Sequence, residues 1–278
     1  MRKTIPISAV LITKNASGEL PACLDSLKFC DEILVVDSGS EDATAKVALS
    51  CGARVIQSEW RGFGRQKQFA VEQSANDWVL CIDADERVSP NLRDSILEAM
   101  EIDSPQTRSS NRGESGKEEG YPPAPTHNSV TAYRFARCNR FLGRYLRHGE
   151  GYPDWSLRLF DRRAAQWSDD VVHEKVVVNQ GVVGALTGDL MHESAESLDN
   201  YLAKQNRYSS LAADAARLHG KRATVAQVVF SPLLRFVKFY FIRGGFLDGA
   251  AGLVHVMIGC IASFSKYAKM LAEQRKAD

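Results

Sequence analysis

The residues best placed to do chemistry are Asp83-Ala84-Asp85, which follow the apolar run Trp78-Val79-Leu80-Cys81-Ile82. Val79, Leu80 and Ile82 read as a strand buried on both faces, so the acidic triplet falls at its carboxyl end. Open parallel sheets bind ligands at that edge. If the strand continues through Asp85, both carboxylates point the same way, and two carboxylates sharing a crevice repel unless a cation separates them. Oxygen donors suit Mg²⁺ or Mn²⁺, and Mg²⁺ takes one or two carboxylates together with substrate phosphates. The chemistry expected is a metal-bound diphosphate; the plainer alternative is a solvated loop with two chance aspartates.

The flanking elements decide between these. Ile7–Ile12, Ile33–Val36 and Ala53–Ile56 are short apolar runs of strand length, and the stretches after them carry helical spacing, as in Leu20, Cys23, Leu24 and Leu27. Alternating strands and helices predict an α/β sheet with right-handed crossovers. The second strand ends in Asp37-Ser38-Gly39-Ser40, a second acidic strand end on the same edge, with Ser40 as the expected cap of the next helix. No G-x-G-x-x-G follows the first strand and no G-x-x-x-x-G-K-[ST] is present, which argues against dinucleotide and P-loop chemistry. A phosphatase with an aspartyl nucleophile also uses Asp-x-Asp, but here the motif is not on the first strand and Glu86-Arg87 follow it.

The 278 residues can bury a sizeable core, and a net charge of +1 gives no argument for nucleic acid as a partner. Six scattered cysteines without a C-x-x-C pair read as reduced thiols. The amino terminus shows no signal-peptide pattern.

Taken together, Val10-Leu11-Ile12-Thr13-Lys14-Asn15, Ile33 to Ser40 and Asp83 to Arg87 resemble the family 2 glycosyltransferases of GT-A fold. Trp60 to Lys67, Leu157-Arg158-Leu159-Phe160, Val172-His173-Glu174 and Gly244 to Gly249 are similar to the bacterial lipopolysaccharide-core β-1,4-glucosyltransferase group. Many family members carry Glu after the first-strand Asn, where this chain has Ala16. The resemblance implies a GT-A fold, Rossmann-like with a mainly parallel sheet, over 1–195. It implies an inverting, metal-dependent transfer of a sugar, foremost glucose from UDP-glucose, to a lipid-linked oligosaccharide of the lipopolysaccharide inner core. Sugar transfer to a polyprenyl phosphate and a non-catalytic carbohydrate-binding module are the alternatives.

On this resemblance Asn15, Asp37, Ser38, Asp83 and Ala84 contact the nucleoside side of the donor, and Asp85 holds the metal, with His192 as a further ligand. Lys67, Arg137 and Arg158 are candidate cations for the diphosphate. Glu174 is preferred over Asp154 as the base that takes the acceptor proton, and His173 could orient it. Tyr152 and Trp155 could stack on a sugar or simply pack.

Residues 103–129 are polar, then proline-rich, and read as a mobile loop. Residues 196–278 form the expected helical subdomain. Thr224-Val225-Ala226-Gln227 fits a capping box and Pro232 should kink or break the helix it starts. Aromatic and aliphatic residues threaded by Arg235, Lys238 and Arg243 fit a membrane surface, with internal packing as the alternative. The expected location is cytoplasmic, peripheral to the inner membrane.

Overall fold

The computed structural model describes residues 5–102, 130–170, 174–194 and 197–277. The loop expected over 103–129, and His173, lie outside the described residues. The chain forms two compact units: residues 1–137 with 155–192, and residues 138–154 with 193–278.

The first unit opens with β1 (Ile7–Thr13), α1 (Leu20–Ser26), β2 (Glu32–Asp37), α2 (Thr44–Ser50), β3 (Arg54–Gln57), α3 (Phe63–Glu72) and β4 (Trp78–Cys81). The four strands lie parallel in the order β3-β2-β1-β4. Side chains of opposite parity go to opposite layers. Trp78, Leu80 and Ile82 join Ile7, Ala9 and Leu11 in one core, with Leu20, Cys23 and Leu24 of α1. Val79 and Cys81 join Val10, Leu34 and Val36 in the other, with Ala70 and Val71 of α3. Each buried Leu, Ile or Val contributes roughly 1.5–3 kcal/mol, so the double-sided pattern holds β1, β2 and β4 in the sheet's interior.

The chain then forms β5 (Glu86–Val88), α4 (Pro90–Ile102), β6 (Val130–Phe141), β7 (Arg144–Tyr145), β8 (Asp154–Asp161), β9 (Ala165–Trp167), β10 (Val176–Val178) and β11 (Val182–His192). β8 joins β4 antiparallel, Leu80 opposite Leu159, and the sheet continues as β8-β6-β11-β5. β9 and β10 pair separately as an antiparallel ribbon. Gly188 adopts a φ of +92°, and a Cβ there would stand 2.3 Å from the backbone nitrogen of Leu92, so only glycine lets β11 press on the start of α4. The backbone N–H of Asp189 also donates to Ser89 Oγ at 3.1 Å.

In the second unit, β7 pairs with the end of β6, Arg140 opposite Tyr145. Three helices follow: α5 (Leu198–Leu218), α6 (Val225–Phe236) and α7 (Gly249–Ala277). Ser197 caps α5 by accepting from the N–H of Asn200. The capping box at Thr224 and Gln227 is present. Pro232 does not end α6; the helix runs on to Phe236 and continues as a π-helix over Val237–Ile242. A proline removes one helical hydrogen bond, and contacts with α7, including Ser231 Oγ to Ser263 Oγ at 2.7 Å, hold the segment together. α5 and α7 meet through Ala213, Ala216 and Met270.

No residue of α6 or of the π-helix is buried. Val229, Leu234 and Ile242 are 50%, 69% and 77% exposed. The segment packs on α7, as through Ser231 and Ser263, and still leaves these apolar side chains exposed.

Candidate active site

The acidic triplet does not continue a strand. β4 stops at Cys81, and residues 84 and 85 form a turn leading into β5. The backbone N–H of Glu86 donates to the carbonyl of Asp83 at 2.9 Å. Glu86 Oε2 in return accepts the N–H of Asp83 at 3.0 Å. The two aspartates therefore meet different partners, contrary to the extended-strand expectation.

Asp83 lies between two cations. Lys67 Nζ, from α3, is 3.3 Å from Oδ1, and Arg158 Nη2, from β8, is 3.0 Å from Oδ2. Burial opposes ionisation of Asp83, but the charges of Arg158 and then Lys67 outweigh it and hold the carboxyl well below the usual carboxylate range. Lys67 also reaches Glu174 Oε1 at 3.4 Å. One ammonium thus links the acid of the turn to the carboxylate expected as base. Both cations lie against Trp167: Lys67 Nζ is 4.8 Å and Arg158 Cζ 5.6 Å from its ring centre. The indole N–H donates to Cys81 Sγ at 3.3 Å. Burial pushes the Cys81 thiol up to about 11, so it stays protonated and unreactive at neutral pH.

Asp85 turns to His192, whose Nε2 is 3.2 Å from Oδ2. Among the described residues no three His, Cys, Asp or Glu side chains gather as a metal-holding group. A carboxylate and an imidazole nonetheless form a fitting partial donor set for a divalent ion that takes its remaining ligands from diphosphate and water. Asp85 and His192 would hold such an ion. Ala84 lies in the turn between the aspartates.

Asp37 and Ser38 stand at the end of β2, with Asp37 opposite Thr13 in the β1 register. Thr13 Oγ1 donates to Asp37 at 3.2 Å, and the backbone N–H of Ser40 donates to it at 3.0 Å. Burial would raise the Asp37 pKa, but the Ser40 hydroxyl, the Ser40 N–H and further hydrogen bonds lower it below the ordinary value. Ser40 is consequently not the cap of α2; that position is Ala43. Asn15, at a φ of +52°, donates its N–H to Ser40 Oγ at 2.9 Å and accepts from the N–H of Glu41.

Asp154 begins β8 and belongs to the second unit, where Asn139 Nδ2 donates to it at 3.4 Å. Arg137 lies 3.5 Å from Glu86. Trp155 is half exposed, with the Arg134 guanidinium 5.0 Å from its ring centre.

Sequence reasoning missed Glu86 and Gln66. Glu86 is fully buried between Arg158 and Arg137, each at 3.5 Å. Burial, reinforced by Asp83, raises its pKa despite those cations. Gln66 is fully buried on α3 and donates to Ser38 Oγ at 3.1 Å, while its Oε1 lacks a hydrogen-bond partner among the described residues. The available signal was a polar residue at a position that the helix or the sheet turns inward.

Two acidic strand ends on one sheet edge, one of them gripped by paired cations, define a sugar-transferring α/β enzyme when set beside the comparisons. The sequence profile of glycosyl transferase family 2 matches residues 8–166. The chain is 33% identical to the lipopolysaccharide core biosynthesis glycosyltransferase LpsC of Rhizobium meliloti, over 96% of this chain and 92% of that one. An uncharacterised glycosyltransferase of Rickettsia prowazekii is 30% identical over 95% of this chain and 86% of its own length. Among solved structures, mannosyl-3-phosphoglycerate synthase from Rubrobacter xylanophilus is similar, with 20% identity, a TM-score of 0.47 and coverage of 80% of this chain and 77% of that one. The chain belongs to glycosyl transferase family 2: it is a glycosyltransferase with the GT-A fold.

Proposed function

We propose that this glycosyltransferase moves glucose from UDP-glucose to the inner core of lipopolysaccharide, with inversion at the anomeric carbon and with Mg²⁺ or Mn²⁺ at Asp85 and His192. The observation that carries the reading is Lys67, which bridges Asp83 and Glu174 beside the Asp85–His192 pair. Asp37 accepts hydrogen bonds from the base or ribose, with Ser38 and Asn15 shaping that end of the site, and Asp83 accepts from a ribose hydroxyl. Lys67 and Arg158 supply positive charge beside the diphosphate. The divalent ion, when bound, stabilises the negative charge that grows on the leaving diphosphate.

The acceptor hydroxyl attacks the anomeric carbon as the bond from that carbon to the diphosphate oxygen breaks. The electron pair leaves on UDP, and the hydroxyl proton passes to Glu174. As Lys67 turns toward the phosphates, its ion pair with Glu174 weakens, leaving the carboxylate freer to accept that proton.

The lipopolysaccharide acceptor is supported by the likeness to LpsC over nearly the whole chain. An exposed apolar strap over 225–242, carrying Arg235 and Lys238 and followed by Arg243, fits an enzyme held at the cytoplasmic face of the inner membrane. Incubation of the protein with metal, a panel of nucleotide sugars and truncated lipopolysaccharides, followed by mass analysis, tests the proposal. A hexose added to the core from UDP-glucose is the expected product. Transfer only to a polyprenyl phosphate would replace the acceptor, and absence of any donor turnover would leave a binding module.

A further inference from the structure

We infer that Glu86 is a positioning residue of the donor site: its buried carboxylate holds the turn of Asp83 and Asp85 and the arginine that grips Asp83. The inference rests on the donor-site reading proposed above.

Glu86 meets every part that has to be aligned. Its Oε2 accepts the backbone N–H of Asp83 at 3.0 Å while its own N–H donates to the Asp83 carbonyl, so the turn is closed in both directions. Its backbone lies opposite His192 in the β5–β11 pairing. The residue that closes the turn under Asp85 is therefore also the strand partner of the imidazole that Asp85 faces. Its Oε1 lies 3.5 Å from Arg158 Nη2, the same nitrogen that binds Asp83.

For folding alone this is a costly choice. A buried carboxylate must be desolvated and matched with cations, and an apolar side chain of similar volume would serve the core as well or better. The expense becomes intelligible if geometry is what the residue supplies. Arg158 gives independent support. With Nη2 held by Asp83 and Glu86, its buried Nη1 has no hydrogen-bond partner among the described residues, a strong donor that a donor-substrate oxygen would satisfy. Glu86 thus stands behind the site without touching the substrate, as residues behind metal ligands commonly do.

Calorimetric titration of the full chain with UDP, with and without Mn²⁺, tests this on the wild type, Glu86→Gln and Glu86→Ala, with melting temperatures alongside. The wild type should bind UDP more tightly with Mn²⁺. Glu86→Ala should lose about 10–100-fold of that Mn²⁺-dependent gain, the usual consequence of removing a support behind metal ligands. Glu86→Gln retains an acceptor for the Asp83 N–H but gives up the charge, so its gain should lie between the two. A purely structural role would lower the melting temperature and leave the Mn²⁺-dependent gain unchanged in Glu86→Gln; that result overturns the inference. If Glu86→Ala does not fold, Glu86→Gln decides by the same criterion. A wild type that binds no UDP with Mn²⁺ defeats the donor-site reading itself, and this inference with it, and is recognisable because no variant is involved.

Discussion

Gly64→Ala should cripple turnover while leaving donor binding intact. Gly64 is the second residue of α3, and local propensity favours alanine over glycine in a helix by about 1 kcal/mol. The surroundings reverse that preference. A Cβ on Gly64 would stand 2.4 Å from the backbone carbonyl oxygen of Ser168 and 3.4 Å from the Cβ of Glu174. An ordinary carbon–oxygen contact needs about 3.3 Å, so the carbonyl must retreat by about 1 Å. Ser168 cannot move alone: its N–H donates to the carbonyl of Lys175 at 2.8 Å, and the Lys175 N–H donates to its hydroxyl at 3.2 Å. The displacement is therefore passed to Glu174. A reacting group misplaced by about 1 Å can cost about 100-fold in rate. Steady-state kinetics should show kcat falling by about 10–100-fold, with UDP affinity within twofold of wild type, because Asp37 and Asp83 are held by other contacts. Wild-type kcat in a folded Gly64→Ala protein would refute both the tight packing and the assignment of Glu174.

Glu174→Gln should lower kcat by about 10²–10⁴-fold with donor affinity kept; if Asp154→Asn is the inactive variant and Glu174→Gln is not, the base is Asp154. Asp85→Ala should abolish metal-dependent transfer without unfolding the chain, and His192→Ala should raise the Mn²⁺ concentration for half-maximal activity; unchanged metal titrations would return both residues to structure. The Asp37 carboxyl titrates lower in the folded chain than in the unfolded one. Its contribution to stability is therefore present above the unfolded value of about 3.9 and is lost as pH falls through the folded value. The gap in melting temperature between wild type and Asp37→Asn should narrow from pH 7 toward pH 3, and a gap independent of pH would contradict this. Full-length protein should float with anionic liposomes at low salt and dissociate at high salt; retention in the soluble fraction would exclude the exposed strap as a membrane surface.

The sheet was legible because its strands announce themselves twice. Val79 and Cys81 feed one layer while Leu80 and Ile82 feed the other, and such continuous apolar runs arise where both faces are covered. Asp37 and Asp83 were readable as strand ends for the same reason. The turn at 83–86 was not readable. Extended backbone through Asp85 is locally reasonable, and what overrides it is a buried Glu86 whose charge partners come from β6 and β8, far along the chain. Lys67 was readable as a candidate cation for the diphosphate but not as a buried one; its burial depends on α3 packing against Trp167 and Glu174, which no local pattern encodes. Of the kink or break expected at Pro232, the break does not occur: the lost hydrogen bond is tolerated within a helix that packs on α7.

The position of Trp167 gives the protein an optical probe of its own. The indole is buried with its N–H fixed on a thiol, and the two cations flanking Asp83 stand over its ring. Any ligand that draws Lys67 or Arg158 away changes the electric field across the excited state, so emission should shift in wavelength when the donor site fills. Trp60 and Trp155 are half exposed and Trp78 lies in the other core layer, so replacing those three with phenylalanine would isolate the signal. Donor arrival could then be timed in a stopped flow, with unlabelled substrate and before any sugar has been transferred.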